Sequence, residues 1–338
     1  MTNRKTVDWP HAAERLAATF PRGRLHPAVL QWAEASGARV TWGVAFSGGA
    51  DSLALLLLLW AHWPERRRWL RVLHFNHRLR GRSSEADGRF CAKVCASLGV
   101  KFGSAAWTEA RASASEAEAR AARMTFFEKN SRVLWLGHQQ DDIAETMLMR
   151  LARGSGSAGL AAPRPVQAMP RQRTHLRPLL TLKKSDIVVA LRAAGAIWRE
   201  DATNAGGDFF RNRVRRSVIP AWSRAAQRDA LAGAARAREL LEEDNAALEA
   251  RVEELGALAA DRSLVLRNLS SQPRAIVRRA LHRWLQVQPQ AGDLARQGFD
   301  ALLTAVERAQ PTRYSLGRQG FAVIRGGVLR FERAERKH

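Results

Sequence analysis

Residues 40–60 read VTWGVAFSGGADSLALLLLLW, and the change of periodicity inside this stretch decides the fold. Val40 to Phe46 is a short apolar run that predicts a buried strand. Ser47 to Ser52 is a Gly-rich turn, and an apolar helix follows through Leu53–Trp63. The pattern then repeats. Strands are expected at Trp69–Phe75, Val100–Trp107 and Arg132–Leu136. Helices are expected over 85–98, where Phe90, Val94 and Leu98 keep helical spacing, over 115–130, and from Asp141 to Arg153, ending at Gly154. Strand–helix–strand at this pitch implies right-handed parallel crossovers, hence a doubly wound, mostly parallel α/β sheet.

The turn itself carries chemistry. A strand that ends in Ser-Gly-Gly-x-Asp-Ser and runs directly into a helix aims successive backbone N–H groups into one concavity. Gly48 and Gly49 let the backbone approach closely, Ala50 opens the helix, and Ser47 and Ser52 add hydroxyls. The product is an anion cradle suited to pyrophosphate. It is neither a Walker A loop, lacking Gly-Lys-Ser/Thr, nor a GxGxxG fingerprint. Asp51 inside an anion site is repulsive unless a cation such as Mg²⁺ sits between it and the phosphates.

Asp142 and Glu145 are spaced i, i+3 on an expected helix, so both carboxylates share one face at the carboxyl end of the sheet. Two roles stay open for them: holding Mg²⁺, or holding the ammonium of an amino-acid substrate and taking its proton. Arg120 and Arg123 share a helix face with Glu116, as a surface ion-pair set or as substrate contacts. Arg211, Arg213, Arg215 and Arg216 are interleaved with Phe209, Phe210 and Asn212, a pattern suited to phosphates and bases of RNA.

Charge points the same way. Lys and Arg total 55 against 32 Asp and Glu, a net +23, and 48 of the basic residues are arginine. Such an excess suits an anionic partner, most simply nucleic acid. The pair Cys91 and Cys95 is a poor metal or disulfide set and reads as one core-facing stripe of a helix. The longest apolar run, Leu53–Trp60, is far short of the ~20 residues of a bilayer span, and the first residues lack a hydrophobic leader. A soluble cytoplasmic protein is expected.

Beyond Gly154 the alternation breaks. A Gly/Ala/Pro-rich loop leads to a strand pair ending at Leu176–Leu180, then a helix over 183–194 and the charged loop REDATNAGGDFFRNRVRR at 199–216. The domain boundary is placed there, giving 1–216 and a basic, mostly helical 217–338. Helices are expected at Ala225–Glu254 and Pro273–Leu285, with a terminal hairpin in 314–331.

Four blocks in order support a family resemblance. The segment 47–52 resembles the loop of the PP-loop ATP pyrophosphatases. His74-Phe75-Asn76-His77-Arg78-Leu79-Arg80, the run from Gly137-His138 through Asp141-Asp142 and Glu145 to Arg150 and Arg153-Gly154-Ser155-Gly156, and Glu200-Asp201-Ala202-Thr203-Asn204 with Arg211-Asn212-Arg213 narrow it to the tRNA(Ile)-lysidine synthetase family. Departures are Gln139, where the family often has a second His, Thr203 for Ser, and Met124 for Tyr. The resemblance implies a carbon–nitrogen ligase. ATP adenylates the wobble cytidine of tRNA(Ile), and L-lysine then displaces AMP to give lysidine. It implies ATP and Mg²⁺ contacts at Ser47 to Ser52, His74 and His138, with Asp51 and Asp142 as metal ligands. Asp51, Arg120, Arg123, Asp142 and Glu145 are the implied catalytic set. Asn76, His77, Arg80, Arg150, Arg153, Asn204, Arg211, Asn212 and Arg215 are the implied substrate and tRNA contacts. The basic C-terminal domain would position the tRNA, and a homodimer is one open assembly. A cytidine thiolase would want CxxC pairs, which the sequence lacks; a non-catalytic RNA-binding relative is the other alternative.

Overall fold

The run at 40–46 forms β1 (Trp42–Ala45), the centre of a six-stranded sheet in the computed structural model, which describes residues 7–76, 82–107, 116–200, 210–288, 294–317 and 320–334. β1 pairs in parallel with β2 (Leu70–Asn76) on one side and β4 (Val133–Trp135) on the other. β3 (Lys101–Ala106) extends the β2 side. On the β4 side, β6 (Arg173–Leu176) is parallel to β4, and β5 (Val166–Met169) closes the edge antiparallel to β6. In the order β3-β2-β1-β4-β6-β5 the winding reverses between β1 and β4. Doubly wound sheets leave their ligand crevice there, beyond the carboxyl ends of the strands.

The helices of the first compact unit, Met1–Glu242, are α1 (Trp9–Thr19), α2 (Pro27–Ala35), α3 (Ala50–His62), α4 (Arg82–Ser97), α5 (Glu116–Asn130), α6 (Gln140–Leu151), α7 (Ser157–Leu160), α8 (Lys184–Ala193), α9 (Phe210–Arg213), α10 (Ile219–Ala226) and the start of α11 (Ala230–Glu254). α3 is apolar on every side because it is enclosed on every side: Leu53 to Leu59 are all buried. Each such leucine is worth about 1.5–3 kcal/mol of transfer free energy. Beneath the strands, Trp42 lies 4.5 Å from Trp135 and 5.6 Å from Trp63, ring centre to ring centre. A smaller core on another part of the sheet joins Leu73 and Leu134 to Phe127 of α5. Cys91 and Cys95 are free thiols buried on α4, as their spacing predicts.

The second unit, Glu243–His338, holds the rest of α11, α12 (Arg274–Val287) and α13 (Arg296–Glu307) with a four-stranded antiparallel sheet. Its strands are β7 (Leu264–Val265), β8 (Thr312–Ser315), β9 (Gly320–Arg325) and β10 (Val328–Arg333), in the order β7-β10-β9-β8. Trp284, Leu302, Leu303 and Leu329 fill its core.

Several expectations need correction. The compact units divide between Glu242 and Glu243, inside α11, rather than after residue 216. Val214, Ile219 and Ala234 pack with Ala144 of α6, so the helices past 216 share the first unit's core. The strand expected at 176–180 stops at Leu176, because Pro178 has no N–H and starts a 3-10 turn. The helix expected from Ala225 to Glu254 is interrupted. Gln227 takes φ 51° and ends α10, and Asp229 then caps α11 through the Ala232 N–H. The terminal hairpin is part of the four-stranded sheet, and α1, α2 and α13 had no counterpart in the expected elements.

Candidate active site

The site is assembled at the carboxyl ends of β1, β2 and β4. After β1 the backbone turns through Gly48, whose φ of 88° is costly for any residue with a Cβ. Gly49 caps α3 from extended backbone. The loop holds itself: the Ser52 hydroxyl donates to the Gly49 carbonyl at 3.0 Å and lies 3.1 Å from the Ser47 hydroxyl. The Arg199 N–H donates to the Gly48 carbonyl at 2.9 Å, and the Arg199 side chain donates to Asp87 of α4 at 2.7 Å. Gly137, after β4, presses on the same turn; a Cβ there would lie 3.0 Å from the Asp51 carbonyl carbon.

Asp51 stands in the first turn of α3. Its Oδ2 accepts from Lys184 Nζ at 2.6 Å, while Oδ1 is buried without a partner. Burial pushes the Asp51 carboxyl above its usual range, against the pull of Lys184. His74, on β2, faces the Phe46 carbonyl at 2.9 Å through Nδ1. A carbonyl only accepts, so Nδ1 carries the proton, and Nε2 is left buried with an unpartnered lone pair. Burial holds His74 below the ordinary imidazole range. It lowers His138 further, aided by the charges of Arg177, Arg211, Arg120 and Arg123, and His138 Nδ1 is also buried without a partner. Both imidazoles are neutral at pH 7.

The departure at Gln139 has a structural role. Its side chain caps α6 by accepting the Asp141 N–H at 2.6 Å, and Asp142 Oδ2 reciprocates by accepting the Gln139 N–H at 2.9 Å. Asp142 and Glu145 point inward from α6, with Glu145 wholly buried. Arg211 Nε donates to Glu145 at 2.7 Å and its Nη2 to Asp142; Arg215 donates from Nε and Nη2 to Glu145. A π-helical turn, Val214–Val218, separates α9 from α10 and carries Arg215. The basic-aromatic cluster is therefore divided. Arg211 and Arg215 turn onto the carboxylate pair, while Arg213 and Phe210 remain exposed.

The remaining expected residues take varied places. Arg120 is exposed and Arg123 half-buried on α5. Arg150 is half-buried and donates to the Gly159 carbonyl; Arg153 is exposed. Asn76 ends β2 half-buried, and Asn212 is half-buried on α9. His77, Arg80 and Asn204 lie outside the described residues. Lys184 and Arg177 were not expected. Arg177 is buried, donates to the Arg164 carbonyl and Gln167 Oε1, and is lowered to about 10 by burial and the charge of Arg120. A signal for Lys184 was present: two of only seven lysines stand side by side where an apolar-periodic helix begins.

The turn at 47–52 opens onto the N-terminus of α3, and cationic nitrogens already occupy the carboxylate pair. Among the described residues no group of three or more His, Cys, Asp or Glu could hold a metal, and no helix is long and apolar enough to cross a membrane. The family model described as the PP-loop domain matches residues 27–222. The chain is 37% identical over 285 residues to the tRNA(Ile)-lysidine synthase of Solibacter usitatus, covering 81% of this chain and 62% of that protein. It is 37% identical over 278 residues to the synthase of the same name from Geobacter sulfurreducens, covering 76% and 56%. For that of Symbiobacterium thermophilum the figures are 34% over 292 residues, covering 80% and 60%. The chain thus spans 56–62% of the length of these curated relatives.

Proposed function

The chain belongs to the PP-loop family, and from that premise we propose that it is a cytoplasmic ligase joining L-lysine to carbon 2 of the wobble cytidine of tRNA(Ile) at the expense of ATP. The observation that carries this reading is the meeting of an anion cradle at Ser47–Ser52 with a buried, cation-holding carboxylate pair, Asp142 and Glu145, at one end of one sheet. One half suits a triphosphate and the other an amine.

In the first step the cytidine 2-oxygen attacks the α-phosphorus of ATP, the α–β bridging bond breaks, and pyrophosphate leaves. The backbone N–H groups of Gly48, Gly49 and Ala50, with the Ser47 and Ser52 hydroxyls, stabilise charge on the departing phosphates. His74 and His138 are neutral at the working pH, and the free Nε2 lone pair of His74 can accept a hydrogen bond from an N–H of the nucleotide. Magnesium fits this site through Asp51, whose buried Oδ1 has no partner, and when bound would neutralise phosphate charge. In the second step the lysine ε-nitrogen forms a bond to carbon 2 and AMP leaves with the oxygen. That amine has a reference pKa of about 10.4 and must lose a proton before it attacks. Asp142 and Glu145 attract the ammonium and stand where that proton can be taken, once Arg211 and Arg215 yield. Arg120 and Arg123, whose charges reach His138, are assigned to offset the negative charge that grows during the transfer.

A cytidine enters such a pocket only when unstacked, which an anticodon loop permits. The basic segment 243–338, with seven Lys and Arg against two Glu in its last 28 residues, suits the tRNA backbone. The test is incubation with tRNA(Ile), ATP and labelled lysine, followed by nucleoside mass spectrometry. Lysidine formed with one AMP and one pyrophosphate per turnover is the expected result. ADP release, or label absent from the cytidine, would end this reading.

A further inference from the structure

Three helix N-termini meet at the cradle: α3 brings Asp51, α6 brings Asp141, and α8 begins at Lys184. The Lys184 N–H donates to Asp141 Oδ2 at 3.0 Å, so the main chain at this position is fixed whatever side chain it carries. The side chain is not sealed in: Lys184 is 39% and Asp51 29% exposed where their charges meet at 2.6 Å. A carboxylate beside a phosphate cradle repels the ligand unless a cation intervenes, and here an ammonium stands in that position. Lysine carries its charge on a flexible four-carbon stem and can swing without moving its backbone.

We propose that Lys184 is a phosphate-positioning residue: its ammonium holds the cation place on Asp51 in the empty site, then exchanges Asp51 for a phosphate oxygen when a divalent cation arrives with the nucleotide. The exchange conserves charge pairing on both sides. Asp51 trades one cation for another, and the incoming triphosphate gains a second positive contact as the ammonium turns. The proposal rests on reading the 47–52 loop as a nucleotide cradle, and it assigns to α8 a role that none of the family-like blocks contains.

The test is calorimetric titration of ATP onto the full chain over a range of Mg²⁺ concentrations, for the unsubstituted protein, Lys184→Met and Lys184→Arg. Lys184→Met should bind Mg·ATP about tenfold or more weakly, the scale of one lost charge-assisted hydrogen bond. It should also need less Mg²⁺ for half-maximal nucleotide binding, since Asp51 has lost its competing cation. Lys184→Arg should recover most of the affinity. Unchanged Mg·ATP affinity in Lys184→Met overturns the proposal. So does weaker binding with an unchanged or higher Mg²⁺ requirement, which is what a merely structural ion pair would produce. An unsubstituted protein that binds no ATP at any Mg²⁺ concentration would instead remove the cradle itself.

Discussion

Gly48 and Gly49 are adjacent in the turn but glycine for different reasons, and replacing each by alanine separates folding from ligand binding. At Gly48 the φ of 88° costs an L-residue about 1–2 kcal/mol. The new Cβ would also sit 3.3 Å from Cys91 Sγ and from Phe90 Cδ1, so α4 must give way. Gly48→Ala should lower the unfolding free energy measured in urea by that amount or more. At Gly49 the backbone is ordinary, φ −76° and ψ 163°, and a Cβ would meet its nearest neighbour, Ser47 Oγ, at 3.5 Å. Alanine is a poorer N-cap than glycine by about 0.5–1 kcal/mol. The stiffer denatured chain returns about 0.4–1 kcal/mol, so stability should scarcely move. The methyl would instead stand in the concavity where the backbone N–H groups meet the ligand. A loss of about 1.4 kcal/mol, tenfold in affinity, is expected for Mg·ATP by calorimetry. A Gly49→Ala protein of normal stability that bound Mg·ATP within roughly twofold of the parent would refute the cradle.

Further outcomes follow from the same contacts. Glu145→Ala strips a buried carboxylate from Arg211 and Arg215, which are 27% and 44% exposed and can turn to water. The urea-unfolding cost should therefore fall toward the lower end of about 3–5 kcal/mol, and lysine incorporation should be abolished. Trp135→Ala opens a void beside Trp42 and Trp63 and should cost about 3–5 kcal/mol by the same assay, with the site's residues untouched. His26 and His175 are each lowered to about 4, chiefly by burial. Unfolded, they bind protons from pH 6.5 down; folded, they stay neutral until about pH 4. Their neutral burial is thus stabilising above pH 6.5 and stability should drain away between pH 6.5 and 4, by up to about 1.4 kcal/mol per pH unit for each histidine. Urea midpoints at pH 7 and pH 5 for the parent and His175→Asn check this; equal pH slopes in the two would contradict it.

The α/β core was legible because its strands end in punctuated turns and its helices either run apolar throughout, as α3 does, or keep a 3.6 period, as in Phe90, Val94 and Leu98. The turn from β1 into α3 was legible because local backbone chemistry alone demands glycine, hydroxyl and a helix start in sequence. What stayed hidden depends on distance. Arg211 sits against Glu145 across 66 positions of chain and Lys184 against Asp51 across 133, and no periodicity reports such meetings. The basic-aromatic run at 209–216 looked like a surface because arginine is usually solvated, yet a wholly buried carboxylate drew two of its guanidinium groups inward. The unit boundary was misplaced for a related reason: a charged loop resembles a linker, whereas Val214 and Ile219 give the residues beyond it a core to join.

Both thiols on α4 are buried, and Cys91 lies against the Gly48 turn with its Sγ 3.9 Å from the Phe46 carbonyl. Burial pushes Cys91 far above the ordinary thiol range and Cys95 up to about 12. Neither forms a nucleophilic thiolate at neutral pH, so the folded chain is silent toward maleimides and disulfide reagents. A single cysteine engineered on the surface would then be the sole attachment point for a fluorophore, and the native pair would serve as an internal reporter, reacting only when the molecule opens.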